Sequence, residues 1–359
     1  MKKCIHLFVS GVLIVAMALC LTACGGTETS TESAPADTDT PAEAAEGSGT
    51  ENEPVEAAWR PEEPVNMIVP YSAGGSTDLL ARAVEAVWPK YCDQPIVIGN
   101  YPGGGGVTGA MMVASAAPDG YTIGIGYGSG PDMSMPFLQE VDYDPFEMLD
   151  PVCLLSVHTV MIVVRSDSEF DSMSEVVEWS QENNTPITAS VSGINGTIDL
   201  AFKAFAYYTG ADINIVPHDS SSGAITDLLS GAYMIGGGHP SDVLPYVQSG
   251  QLKCLAVATD ERDSAMPDVP TLREQGIDFT SFGSIKGIMV PEDTPEEIVD
   301  YYEQLFAEIA ADEEFIDSML SMGQPVMYMG TEEFAEYFAE ASEGNRKVIE
   351  DLGLAYYQQ

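Results

Sequence analysis

The chain has 359 residues, with 13 Lys+Arg against 56 Asp+Glu and a formal net charge of −43. So acidic a surface repels nucleic acid, and no basic cluster is present to overcome the repulsion. Beyond the N-terminus no apolar run is long enough to cross a bilayer, so a membrane-threaded protein is not expected; the length suits one large or two moderate domains with real cores.

Residues 1–23 read as an export signal, with Lys2 and Lys3 as its positive end and a mostly apolar stretch from Leu7 to Leu21. The signal ends Leu21-Thr22-Ala23-Cys24, which resembles a bacterial lipobox and makes Cys24 the expected lipidation site. Residues 24–60 follow, rich in Thr, Glu, Ser, Ala, Gly and Pro; their low apolar content predicts a disordered acidic tether. The expected location is therefore outside the cytoplasm, held by lipid to a membrane surface. Cys92, Cys153 and Cys254 remain, odd in number and without metal-ligand spacing. They read as small buried residues, with one disulfide plus a free thiol left open. No metal or cofactor is expected.

Val65 to Val69 is a short apolar run closed by Pro70, which predicts a buried strand. Two glycines follow, then Ser76, Thr77 and Asp78, which favour a helix start, and apolar residues at helical spacing run on to Trp88. Such a strand, turn and helix start aims free backbone N–H groups at one place, at the positive end of the helix dipole, where an anion is favoured. After a strand at 95–98, Gly104, Gly106 and Gly109 fit a dinucleotide-binding spacing. No acidic residue ends a strand about 20 residues on, so close backbone packing is the expected use of these glycines. A helix at 107–116, a strand at 121–126 and two near-consecutive strands at 148–157 and 159–165 follow.

A second unit then repeats the pattern: helix 174–182, strand 187–191, helix 198–209, strand 213–216, helix 223–229, strand 233–236, helix 242–248 and strand 252–258. Its first strand leads into Ser192-Gly193-Ile194-Asn195-Gly196-Thr197, a turn of the same form as the first. Strands alternating with helices predict mostly parallel sheets covered on both faces. Residues 280–290 run back to the first unit, and the tail holds helices at 295–310, 312–320 and 332–352 with a strand at 325–328. The expected architecture is thus α/β, with lobe 1 at 61–160 plus 285–359 and lobe 2 at 161–284. Two crossings make a hinge, and the cleft between lobes is where a ligand is expected.

Several separate motifs then match one family in order: Val69-Pro70-Tyr71-Ser72-Ala73-Gly74-Gly75-Ser76-Thr77-Asp78, Asn100-Tyr101-Pro102-Gly103-Gly104-Gly105-Gly106, Ala117-Pro118-Asp119-Gly120-Tyr121-Thr122, Leu228-Leu229-Ser230-Gly231, Leu252-Lys253-Cys254-Leu255-Ala256-Val257 and Pro267-Asp268-Val269-Pro270-Thr271. The chain resembles the extracytoplasmic substrate-binding proteins of tripartite tricarboxylate transporters, the Bug receptors. The resemblance implies a type II periplasmic-binding fold that closes on a small organic acid and delivers it to a membrane permease; a monomer is expected. It places the carboxylate on the loops Tyr71, Ser72, Ala73, Gly74, Gly75, Ser76, Thr77 and Asp78, and Ser192, Gly193, Asn195, Gly196 and Thr197. With so few cations, backbone donors are expected to hold the anion. The far wall is expected to hold His218, Asp219, Ser220 and His239. Family members often carry Pro-Tyr-Lys-Gly where this chain has Pro217-His218-Asp219-Ser220, which favours a monocarboxylate with a neutral polar or cationic tail.

Single residues also have plainer readings. Asp78 fits the first turn of a helix, Arg82 an ion pair, His158 the core or the hinge, and Met133 and Met135 packing. Two competing functions are an exported hydrolase using Ser76 or Ser192, and a sensing receptor of the same fold. No Gly-x-Ser-x-Gly elbow supports the first; sequence alone does not separate the second from transport.

Overall fold

The computed structural model describes residues 59–358 apart from Asn184 and Asp219. The export signal, Cys24, the tether and Asp219 therefore lie outside the described residues. The strands are β1 (Val65–Val69), β2 (Ile96–Asn100), β3 (Thr122–Tyr127), β4 (Leu149–His158), β5 (Met161–Arg165), β6 (Ile187–Ser192), β7 (Ile213–His218), β8 (Ile235–Gly238), β9 (Leu252–Val257), β10 (Ser284–Pro291) and β11 (Val326–Met329). The helices are α1 (Ser76–Val87), α2 (Val107–Ala114), α3 (Met135–Leu138), α4 (Pro145–Met148), α5 (Met173–Asn183), α6 (Thr197–Thr209), α7 (Ser221–Leu229), α8 (Pro240–Gln248), α9 (Glu296–Ala310), α10 (Glu313–Ser321) and α11 (Thr331–Asp351). No described helix is long and apolar enough to cross a membrane.

Two sheets organise the fold, in the orders β11-β4-β10-β3-β1-β2 and β7-β6-β8-β5-β9. Alternation along β1 explains how one strand serves two cores. Val65, Met67 and Val69 face Leu80 and Val84 of α1 and Phe306 of α9, while Ile68 faces Ala110 of α2 and Phe334 of α11. The second sheet is covered likewise, by α5 and α6 on one face and by α7 and α8 on the other. Covering both faces removes the apolar strands from water, which is the main stabilising term.

The expectation of mostly parallel sheets is corrected. β1 pairs in parallel with β2 and β3, and β6 with β7 and β8, but the remaining five pairings are antiparallel. The reason is the crossing. β4 leaves the first sheet and β5 enters the second within two residues; β10 returns alongside β4, pairing Ser284 with His158. Strands that carry the chain out and back run against their neighbours. The short helices α3 and α4 and a π-helical turn at Gly130–Ser134 were not legible in the sequence. Cys92, Cys153 and Cys254 are free thiols.

Candidate functional site

The two glycine turns are one local structure made twice. In the first, the Gly75 N–H donates to the Ser72 carbonyl at 3.3 Å; in the second, Gly196 donates to Gly193 at 3.1 Å. The third residue of each turn is left-handed, Gly74 at φ 81° and Asn195 at φ 56°. Gly and Asn tolerate that region best, which is why these residue types stand there. Four residues on, an aspartate in the first helical turn takes the exposed N–H: Asp78 Oδ2 accepts from Gly74 at 2.8 Å and Asp199 Oδ2 from Asn195 at 2.7 Å. One turn further, a cation pairs with each carboxylate, Arg82 with Asp78 at 3.4 Å and Lys203 with Asp199 at 2.7 Å.

The helices these turns open bring their N-termini to one cleft of about 580 Å³. It is lined by the β1–α1 turn (Tyr71, Ser72, Gly75, Ser76, Thr77), the β2–α2 turn (Pro102, Gly103, Gly105, Gly106) and the β6–α6 turn (Ser192, Gly193, Ile194, Gly196, Thr197). Ser220 and Ser221 at the start of α7 and His239 before α8 complete one side; Ser129, Gly130, Ser284 and Lys286 form the floor of the other. The lining thus collects unpaired N–H groups and the positive ends of several helix dipoles at the carboxyl ends of the strands. No carboxylate is among the described lining residues.

Lys286 is the group sequence reasoning missed. It lies on β10, is 3% exposed, donates to Thr77 Oγ1 at 2.9 Å, and sits 5.5 Å from the Tyr71 ring centroid. Burial pushes its pKa down to about 8, against the pull of Asp242 and Asp132. It remains an ammonium at neutral pH. Among the described residues no carboxylate forms an ion pair with it. A cation therefore lines the cleft beside the backbone donors that the sequence led one to expect. The available signal was a lone lysine inside the apolar run Ser284-Ile285-Lys286-Gly287-Ile288-Met289-Val290, in a chain with few cations. Beneath it, Asp132 is held by the Tyr143 hydroxyl at 2.5 Å and the Gly128 N–H at 2.7 Å, and burial pushes its pKa up to about 6.

Other expected site residues fall elsewhere. Asp78 turns its carboxylate into the loop, taking Gly74 and the Asn100 amide (3.1 Å); those donors and Arg82 outweigh burial and lower its pKa. Asn195 Oδ1 accepts from Lys203, and Ala73 and Gly74 do not line the cleft. His218 is also off the lining. Its ring packs on Tyr233 and its Nδ1 lies 3.7 Å from Asp227, while its carbonyl accepts from Gly193 and so supports the second turn. His239 does line the cleft, with Nδ1 bonded to the Thr159 carbonyl at 2.9 Å; burial, its largest influence, lowers its pKa. His158 lies behind it, 5.8 Å between ring centroids. Ser192 Oγ accepts from Ser221, and no hydrogen bond joins Ser76 or Ser192 to a histidine among the described residues. No cluster of His, Cys, Asp and Glu among them fits a metal ion.

A family model described as the tripartite tricarboxylate transporter family receptor matches residues 80–354. Protein BugT of Bordetella pertussis is 30% identical over 247 residues, covering 68% of this chain and 76% of that protein. Among solved structures, a solute-binding protein from Polaromonas without ligand superposes with a TM-score of 0.71 at 27% identity, covering 81% of this chain and 99% of its own. MatC from Rhodopseudomonas palustris with bound malate gives a TM-score of 0.68 at 26% identity, covering 80% and 99%. With its fold and most of its length matched, the chain belongs to the tripartite tricarboxylate transporter receptor family.

Proposed function

We propose that the protein is an extracytoplasmic receptor that captures a small organic carboxylate and hands it to membrane permease subunits, with no chemistry of its own. The observation that carries the reading is the doubled turn: two loops with the same hydrogen-bond pattern aim helix N-termini into one cleft that no described carboxylate lines. In a chain of net charge −43, such a cleft is a local attractor for anions. The malate bound to the MatC neighbour is of the same chemical class. The two sheets act as lobes, 61–160 with 285–359 and 161–284, and close about the crossings between them. The hydrolase reading loses ground because neither serine has a histidine partner among the described residues.

A thermal-shift screen against small organic acids tests the proposal. A ligand at 100 times its dissociation constant adds about 2.7 kcal/mol, a shift of several degrees. At least one acid is expected to raise the melting temperature; a flat panel would contradict the reading.

Anchoring by lipid at Cys24 belongs to the same proposal, and fits a receptor that must stay beside its permease. Cys24→Ser is expected to move the protein from the membrane fraction to the soluble fraction. A variant still found on membranes would count against lipid attachment.

A further inference from the structure

We propose that Lys286 is the counter-charge of the ligand, so that the cleft selects an ionised acid and rejects its uncharged amide. The inference rests on the carboxylate-receptor reading and adds to it the residue that enforces charge.

Lys286 is buried, yet it opens on the cleft. Removing an ammonium from water is costly unless an opposite charge or several acceptors replace the lost hydration. In the structure it has one hydroxyl, Thr77 Oγ1, and the face of Tyr71. Both are weak substitutes for water. Thr77 belongs to the first turn of α1, so the ammonium and the N-terminus of that helix converge on the same side of the cleft. A carboxylate seated there accepts from the helix N–H groups and pairs with Lys286 at once. An amide of the same shape leaves the charge uncompensated. Such discrimination works through the group left unpaired, and it is far stronger than discrimination by shape.

The charged and titratable groups that face Lys286 are Asp242 on α8, Asp132 in the turn after β3, His158 on β4, His239 before α8, and Tyr71. Burial holds both histidines below their ordinary range and Tyr71 far above its own, and Asp132 is ionised above about pH 6. Between pH 7.5 and 9.5 Lys286 is therefore the group in this set expected to change charge. The free ammonium begins to lose its proton near pH 8, whereas a bound carboxylate raises its pKa. Acid binding thus takes up a proton in this window, and the dissociation constant rises with pH by up to about tenfold per unit.

The test measures affinities of acetate, lactate, succinate and malate, each beside its amide, for the full chain and for Lys286→Met between pH 7 and 9.5. Methionine in place of a buried lysine is expected to keep the fold or stabilise it. Wild type should prefer acid over amide by about 30-fold or more, and should lose acid affinity above pH 8. In Lys286→Met the preference should collapse and the pH slope vanish. Acid binding that keeps both preference and slope in Lys286→Met would overturn the inference while leaving the receptor reading intact. Equal loss of acid and amide in the variant, with no pH slope in wild type, would also overturn it and reduce Lys286 to a brace for Thr77. Absence of binding by every acid to wild type would overturn the receptor reading and this inference with it. The wild-type pH profile decides the matter even if the variant fails to fold.

Discussion

Gly75→Val is expected to abolish acid binding while moving the melting temperature of the free protein by no more than about 2 °C. Gly75 has φ −80° and ψ 168°, an extended conformation that valine adopts without strain. A Cβ built there meets one atom within 4 Å, the Ser72 carbonyl oxygen at 3.3 Å, a tight contact that a small shift of the turn must relieve. The side chain therefore extends into the open space that Gly75 lines, where a carboxylate must approach the first N–H groups of α1. The cost to the helix is the difference between glycine and a poor capping residue, under about 1 kcal/mol. A fall in melting temperature matching the loss of binding would assign the glycine to folding instead. Measurement of the free protein's melting curve beside a binding titration separates the two.

Asp199→Ala is expected to cost about 3 kcal/mol of stability and to weaken ligand binding as well. Asp199 is fully buried, and its Oδ2 accepts at 2.7 Å from both the Asn195 N–H and the Lys203 ammonium. Alanine leaves that N–H without its acceptor and Lys203 without its charge partner. It also removes the bond that holds Asn195 in a left-handed conformation, so the second turn loses its shape. Lys203 is partly exposed and recovers some hydration, which keeps the cost below that of a fully buried broken pair. Urea unfolding checks the figure, and a melting point about 5 °C lower is expected. A change under about 1 kcal/mol would show that water replaces the carboxylate without loss.

The parts of this fold that were legible in the sequence share one property: their signal is local. β1, β6 and β9 are apolar runs bounded by turn residues, and α1 and α6 keep helical spacing beyond a small-residue start. The two cleft-lining turns were legible because left-handed backbone demands Gly or Asn and helix starts demand small polar residues. Residues 103–106 are similar: all four glycines have positive φ, and a Cβ on Gly109 would meet Pro70 Cα at 2.6 Å. Backbone packing next to the first turn, not a nucleotide, accounts for them.

What was not legible depends on partners distant in the chain. β8 is Ile-Gly-Gly-Gly, a poor strand by propensity, and its expected bounds fell two residues early. It is a strand because three helices press on it: Cβ atoms on Gly236, Gly237 and Gly238 would meet Leu228 at 2.8 Å, Ile198 at 2.5 Å and Val243 at 2.7 Å. Lys286 stands out in sequence only as a lone lysine in an apolar run; that it lines a cleft depends on β4 and β3, which bury it. Asp78 reads from sequence as a helix-dipole residue; its role as a loop clamp, and that of Asp199, needs the three-dimensional turn. The antiparallel pairings follow from the inter-sheet crossings, which no single segment encodes.

The central claim is that both loops grip one ligand. Its most direct test is a calorimetric titration of the acid that shifts the melting temperature most into wild type, Gly75→Val and Gly196→Val. Gly196 has an extended backbone, and the three atoms nearest a Cβ there belong to Gly193 at 3.4 Å or more, so a side chain fits there too. One acid is expected to bind per wild-type chain, with no detectable heat of binding in either variant. Full-affinity binding that survives valine on either loop would contradict it.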